Sequence, residues 1–339
     1  MRILIVRLSS LGDVVHALPV VHDLRCAWPD AQVDWVVEPA FAPLLRQVEG
    51  LRTVIGCPLR RWRRSWWQRS TRAEWRDFRR QLQRTHYDAV LDLQGLTKSA
   101  LVAWLANGRS HGLADRTEGS SFEAPARWLL DDAISLRLRI HAVDRARELA
   151  ARALGYWMSG PPCFGLRAAV PESPIPAPTL TLVHGSSRDD KLWPEALWIE
   201  LARRALNDGW RIALPRAGVA ECERAQRIAS ALGPGADVWP EMELGMLVDR
   251  LGATQGVIGV DSGPSHLAVA LNLPHVQVYN FPTSWRTGPQ VQHGHRHQVS
   301  VEVHPADALE AVWKSWTTVR DSGRFDRCRP VPRTGQQTW

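Results

Sequence analysis

A chain of 339 residues, 45% of them hydrophobic, is long enough for two ordinary domains with buried cores and too apolar to stay disordered. No run approaches the roughly 18 uninterrupted apolar residues of a membrane-spanning helix. Arg7 and Asp13 break the N-terminal apolar stretch too early for a signal peptide. Five scattered cysteines lack metal-binding spacing, which suits free thiols in a reducing cytoplasm. The net charge of +7 belongs to one segment: residues 59–80 hold nine Arg and two acids, while the remainder balances at 33 basic and 33 acidic residues.

In chain order, apolar runs at 2–6, 33–37, 52–56, 88–95 and 108–112 read as strands, with amphipathic stretches between them. That alternation is the pattern of parallel strands joined by helical crossovers. A proline-rich stretch within 161–178 marks a junction, with the linker proper at 166–178. The alternation then restarts with a strand at 179–185, a helix from about Pro194, and strands at 211–215, 236–240, 256–261 and 275–280. Helices are expected over 220–232, 243–252 and from about 264, and a last one over 306–320. In the helix near 194, Leu197, Trp198, Leu201, Ala202, Ala205 and Leu206 share one face. The expected architecture is α/β: two Rossmann-like doubly wound domains, 1–165 and 179–305, facing an interdomain cleft, followed by a segment 306–339. Such sheets bind ligands at the carboxyl ends of their strands.

Four strand-end turns carry candidate chemistry. "SSLGD" (9–13) leads from the first strand into a helix, where Asp13 is either a helix cap or a functional carboxylate. "DLQGLTKSA" (92–100) puts Lys98 at a helix start, an unfavourable place for a cation unless an anion faces it. In "VHGSSRDDKLWP" (183–194), Ser186, Ser187 and Lys191 suit a phosphate, or else form a solvated loop. In "GVIGVDSGPSHLAVAL" (256–271), Asp261 ends a buried strand and Ser262, Gly263 and Pro264 turn into a helix, an arrangement suited to a diphosphate. His266 could donate to an oxyanion there, or pack. No GxGxxG accompanies these turns. "HGHRH" (His293, His295, His297) reads as a polar loop rather than a metal site.

These segments, together with "DWVVE", "RRWRR", "IHAVDRARELAARALGY" and "MELG", occur in the order found in the ADP-heptose:lipopolysaccharide heptosyltransferases, glycosyltransferase family 9, and the chain resembles them over about residues 1–320. The resemblance implies a GT-B fold and inverting, metal-independent transfer of heptose from ADP-heptose to the Kdo of Kdo2-lipid A, with no cofactor. It implies Asp13 as general base, with Ser10 and Gly12 binding the acceptor. Lys191 would neutralise the diphosphate, Ser186 and Ser187 would contact the nucleotide sugar, and Ser262, Gly263 and His266 would hold the diphosphate. Asp261 would bind heptose hydroxyls, Glu221 (with Glu223 as second choice) the ribose, and Met242 the adenine. Arg60, Arg61, Arg63 and Arg64, with Lys98, would meet the anionic acceptor. The interleaved Trp residues suit a peripheral position on an anionic inner-membrane surface. The last helix would pack back towards the first domain. In the loop 279–289 the chain departs from the family pattern: Phe281 is extra and Ser284 stands in place of an acid. The competing readings are a transferase adding another heptose or another ADP-activated sugar to the inner core, and a non-catalytic nucleotide or nucleic-acid binder. No nucleic-acid-binding motif supports the last, and no nucleic-acid partner is expected.

Overall fold

The structure, a computed structural model, describes residues 1–158, 160–169, 177–290, 297–304 and 308–322. The chain divides into two compact units, Met1–Leu166 and Arg167–Trp339. The expected linker at 166–178 lies partly outside the described residues, as do His293 and His295.

In the first unit the strands are β1 (Arg2–Val6), β2 (Gln32–Val37), β3 (Leu51–Gly56), β4 (Ala89–Asp92), β5 (Ser110–Leu113) and β6 (Asp132–Ile134). They form one parallel sheet in the order β3-β2-β1-β4-β5-β6. Its helices are α1 (Leu11–Ala17), α2 (Pro19–Ala27), α3 (Ala42–Leu45), α4 (Leu59–Ser65), α5 (Arg69–Arg84), α6 (Thr97–Leu105) and α7 (Ala142–Leu154). In the second unit β7 (Thr179–Val183), β8 (Arg211–Leu214), β9 (Ala236–Val238), β10 (Gly256–Val260), β11 (His275–Tyr279) and β12 (Gln298–Glu302) repeat the plan as β12-β11-β10-β7-β8-β9. Between them run α8 (Glu195–Asn207), α9 (Gly218–Leu232), α10 (Leu244–Gly252), α11 (Gly263–Ala270) and α12 (Ser284–Thr287), and α13 (Ala308–Ser322) closes the unit.

Each sheet therefore has the doubly wound order in which the chain reverses direction once, between β1 and β4 and between β7 and β10. Turns leaving those central strands diverge to opposite faces and open a crevice at the carboxyl ends. The inner strands, β1, β10 and β11 among them, are buried on both faces, so they read as continuous apolar runs rather than alternations. One core gathers Leu4, Val6, Val36, Trp62, Phe78 and Leu82; the other gathers Leu182, Trp193, Trp198, Leu201, Ile258 and Val278.

Three expectations differ in detail. The run 88–95 ends as a strand at Asp92, because Asp92 Oδ1 accepts the Gln94 N–H at 2.9 Å and Gly95 turns left-handed at φ 76°. β6 and β12 were not anticipated; both are edge strands. The last helix, expected to turn towards the first domain, is built into the second: Ala308, Val312, Trp316 and Val319 of α13 are buried in that core, against β11, β12 and α8. Its apolar residues recur at helical spacing, and the flank of the second sheet beside β11 and β12 is the surface they cover.

Candidate active site

At the carboxyl end of β1 the chain enters α1 through Ser10, the N-cap. Asp13 occupies the third helical position and completes a capping box: Oδ2 accepts the Ser10 N–H at 3.2 Å and the Ser10 hydroxyl at 2.9 Å. Its other oxygen, Oδ1, lies 2.8 Å from Nη2 of Arg7, a guanidinium that is 5% exposed while the Asp13 side chain is 40% exposed. Burial alone would raise the Asp13 pKa. The charges of Arg7 and His16, with the Ser10 hydrogen bonds, outweigh it and hold the carboxyl well below the usual range. The result is an ionised carboxylate at the switch point of the first sheet, reachable from solvent.

The same rim collects the other first-domain candidates. The Leu8 N–H donates to Gln94 Oε1 at 2.9 Å, tying the end of β1 to the turn after β4. The Glu38 N–H donates to the Leu8 carbonyl, and the Glu38 carboxylate accepts the backbone N–H of Arg60 at 3.1 Å, which anchors the start of the arginine helix α4 beside the Asp13 turn. Arg60, Arg63 and Arg64 are exposed. Arg61 instead turns to Glu74 of α5, with Nη1–Oε1 at 3.1 Å; Trp62 Nε1 donates to the same carboxylate at 2.9 Å and packs on Trp75 and Phe78. Trp66 and Trp67, at the end of α4, are 69% and 66% exposed. Lys98 is the second residue of α6. The acid near it is Glu123, whose carboxyl sits below its ordinary pKa through hydrogen bonds to Thr97 and, to a lesser degree, the Lys98 charge. Gly12 lies in the first turn of α1.

In the second domain the turns after β7 and β10 meet at the corresponding switch point. Asp261, 5% exposed, takes Lys191 Nζ on Oδ2 at 2.5 Å and His266 Nε2 on Oδ1 at 3.2 Å, with the Thr287 hydroxyl donating to Oδ1 at 3.4 Å. Burial would raise its pKa; His266 and Lys191 win, and it stays ionised far below the usual carboxylate range. Ser262 is the N-cap of α11, and its buried hydroxyl has no hydrogen-bond partner among the described residues. With Gly263 it leaves free N–H donors at a helix N-terminus, the local chemistry that receives an anion. Ser186 and Ser187 line the turn out of β7, where Ser186 Oγ accepts a long 3.4 Å contact from the Arg188 N–H.

Glu221, in the first turn of α9, packs against that turn so closely that a Cβ on Gly185 would fall 2.4 Å from its Cδ. The carboxylate accepts the Ala217 N–H at 2.7 Å, and its half-buried position raises its pKa. Glu223, the second choice, is exposed. Met242 lies half-buried just before α10, below the end of β9.

Several residues at these rims escaped the sequence reading. Asn280 Nδ2 donates to the carbonyls of Asp190 and Leu192, at 3.1 and 3.0 Å, so it clasps both sides of Lys191. The Tyr279 hydroxyl meets Thr287 Oγ1 at 3.0 Å and so supports the contact to Asp261. Thus the divergent loop 279–289 supplies partners to the central acid, and Ser284 spends its hydroxyl on Glu302 at 2.6 Å. In the first domain, Arg7 and Asp92 were missed. A charged residue ending an apolar run was the available signal. Among the described residues no group of three or more His, Cys, Asp or Glu could hold a metal ion, and His297 is committed to Asn272 Oδ1 at 2.8 Å. No described helix is long and apolar enough to cross a membrane.

The profile of "Glycosyltransferase family 9 (heptosyltransferase)" matches residues 75–307. The chain is 40% identical over 285 residues to lipopolysaccharide heptosyltransferase 1 of Escherichia coli strain K12, covering 82% of this chain and 88% of that relative. It is 38% identical over 288 residues to lipopolysaccharide heptosyltransferase 1 of Pseudomonas aeruginosa, covering 84% of this chain and 79% of the other. Among solved structures, the E. coli heptosyltransferase WaaC with ADP superposes with a TM-score of 0.81 at 34% identity, over 96% of this chain and 98% of that one.

Proposed function

From the premise that the chain belongs to glycosyltransferase family 9, the heptosyltransferases, we infer that it is an inner-core heptosyltransferase of the first kind, moving heptose from ADP-heptose to the Kdo of Kdo2-lipid A. The observations that carry the reading are two turns of complementary chemistry, one in each unit. One is a solvent-reachable carboxylate, Asp13, at the switch point of the first sheet. The other is an N–H-rich turn, Ser262 and Gly263, beside the Lys191–Asp261 ion pair at the switch point of the second.

The reaction is a single displacement. The acceptor hydroxyl oxygen attacks the anomeric carbon while the bond to the diphosphate breaks, ADP leaves with the electron pair, and the anomeric centre inverts. Asp13 takes the hydroxyl proton. A carboxylate so acidic is a weak base towards a resting alcohol, but in a transition state with oxocarbenium character the attacking hydroxyl becomes acidic late, when Asp13 suffices. On the donor side Glu221 binds ribose hydroxyls, Met242 lies against adenine, and Ser186 and Ser187 steady the nucleotide sugar. His266 and Asp261 orient the diphosphate and the heptose. Lys191 and the N-terminus of α11 absorb the charge of departing ADP, the part a divalent ion plays elsewhere, so turnover proceeds without one.

The acceptor is anionic, carrying phosphates and Kdo carboxylates. Arg60, Arg63 and Arg64 offer planar, forked donors for such groups. With exposed Trp66 and Trp67 beside them, the same segment rests on an anionic inner-membrane surface.

The test is donor selection. Purified chain given Kdo2-lipid A and a panel of nucleotide sugars should release ADP from ADP-heptose, with activity surviving excess chelator. Turnover with a different nucleotide sugar and none with ADP-heptose contradicts the reading. Loss of turnover in chelator, restored by a divalent ion, contradicts the metal-independent step.

A further inference from the structure

Arg7 is the least expected residue at the first rim. It follows the last residue of β1, is 4% exposed, and yet carries a permanent charge. Its backbone is fixed on both sides: the N–H donates to the Val36 carbonyl at 3.2 Å, and its carbonyl accepts Trp35 Nε1 at 3.2 Å. Its guanidinium is equally constrained, with Nη1 donating to the Leu93 carbonyl and Nη2 2.8 Å from Asp13 Oδ1. A buried cation needs a counter-charge, and its ion pair is with the half-exposed carboxylate assigned as base.

The carboxylate's own hydrogen bonds show what this does. Of the roughly four lone-pair positions of a carboxylate, the Ser10 N–H and hydroxyl take two on Oδ2, and Arg7 takes one on Oδ1. One remains, on the oxygen that Arg7 holds. We propose that Arg7 is a positioning residue of the transfer: it turns Asp13 so that its single uncommitted lone pair serves the acceptor hydroxyl, and it keeps that carboxylate ionised. The proposal rests on the reading of Asp13 as base.

The other titratable groups around this carboxylate are His16 on the same helix, His141 at the start of α7 with its ring 6.3 Å from that of His16, and Asp92 at the end of β4. Asp92 is fully buried, hydrogen-bonded to the Gln94 N–H and the Ser99 hydroxyl, and held near a pKa of about 6 by burial against those bonds and the Arg7 charge. His16 also favours the ionised carboxylate through its charge, but Arg7 is the larger influence and the one that holds Oδ1, so it is the group whose loss should move the base most.

The experiment compares single-turnover rates against pH for wild type, Arg7→Met, Arg7→Lys and Asp13→Ala, with ADP-heptose affinity and thermal midpoint measured on each. Arg7→Met should slow transfer by roughly 10²-fold, the scale of a misplaced reacting group, leave ADP-heptose affinity unchanged, and move the acid limb of the rate profile upward by one pH unit or more. Arg7→Lys keeps the charge without the fork. It should recover much of the pH profile while remaining about tenfold slow, and it carries the test if Arg7→Met does not fold. In an Asp13→Ala background, Arg7→Lys should add almost nothing. If Arg7 variants only lower the thermal midpoint, with wild-type pH profile and rate per folded molecule, the inference is wrong while the reading of Asp13 stands. If Asp13→Ala itself turns over at the wild-type rate, the reading of Asp13 fails, and this inference with it.

Discussion

Asp13 and Asp261 are both held ionised, but by different means and to different ends. Asp13 is a half-exposed carboxylate with one open side; Asp261 is buried, with Lys191, His266 and Thr287 around it. Asp13→Asn keeps an oxygen for the Ser10 capping bonds and removes the base. It should lower the rate per folded molecule by roughly 10²–10⁴-fold with donor affinity nearly unchanged, while the thermal midpoint falls because buried Arg7 loses its counter-charge. If Asp13 acts only as cap and counter-charge, the midpoint falls but the rate per folded molecule persists. Lys191→Ala should lower kcat/KM for ADP-heptose by roughly 10²–10³-fold, as the loss of a donor aimed at developing charge does. Unchanged kcat/KM would remove Lys191 from the donor side. The pH dependence of stability also follows from single residues. His184 and His275 are buried and held neutral down to a pKa of about 4, chiefly by burial. Their unfolded-state values near 6.5 are higher, so the unfolded chain takes up protons that the native chain refuses, and stability falls as pH drops from about 6.5 to 4. Asp92, raised to about 6, and Glu221, raised by burial, oppose them, while His111, lowered by burial, adds a third histidine acting in the same direction. The thermal midpoint should therefore be lower at pH 4.5 than at pH 6.5; an equal or higher midpoint at pH 4.5 would refute this accounting. At this scale Asp13, Lys191, Asp261 and His266 could be read from the sequence because strand-end turns advertise themselves with small residues and charges. Arg7 offered only the signal of a charge ending an apolar run, which does not name Asp13 as its partner, and Asn280 offered none, since its bonds run to the carbonyls of Asp190 and Leu192 in a distant turn.

Elements carry two further expectations. Gly185→Ala brings a Cβ within 2.4 Å of Glu221 Cδ, the far end of a side chain that can swing away. The fold should tolerate it, but ADP affinity should fall by about tenfold or more, the worth of a hydrogen bond to a charged group. Isothermal titration with ADP measures this, and unchanged affinity would take Glu221 off the ribose. Gly256→Ala meets a different neighbour: its Cβ would lie 2.2 Å from Cη2 of Trp316, a rigid ring packed edge-on to Trp210. The thermal midpoint should fall by an amount equivalent to about 1–3 kcal/mol, the usual cost of overpacking. Central strands were legible because burial on both faces makes them continuous apolar runs. β6 was not, since "DAI" is three residues on an edge and its ladder depends on β5 rather than on local pattern. The placement of α13 was legible as a helix but not as a partner of the second sheet. Periodicity names a buried face without naming what buries it.

Across the whole molecule, charge is concentrated: residues 59–80 carry the net +7 in the first domain, while the donor candidates all lie in the second. Arg61 already supports α5 through Glu74, so Arg60, Arg63 and Arg64 are the residues to change together. The triple Ala variant should raise acceptor KM strongly, leave ADP-heptose affinity intact, and lose most of the salt dependence of acceptor binding, because exposed charges act within a Debye length of about 8 Å at physiological ionic strength. The architecture of two doubly wound domains was visible from strand spacing alone. The acceptor was not, because the proposed acceptor surface is one that composition describes only as basic and aromatic. The account therefore turns on acceptor choice, and the decisive measurement is the mass of the product formed from ADP-heptose with three acceptors: Kdo2-lipid A, lipid A lacking Kdo, and Kdo2-lipid A already bearing one heptose. The account predicts addition of a single heptose to Kdo2-lipid A and none to the other two. Extension of the heptose-bearing acceptor with Kdo2-lipid A left untouched would contradict it.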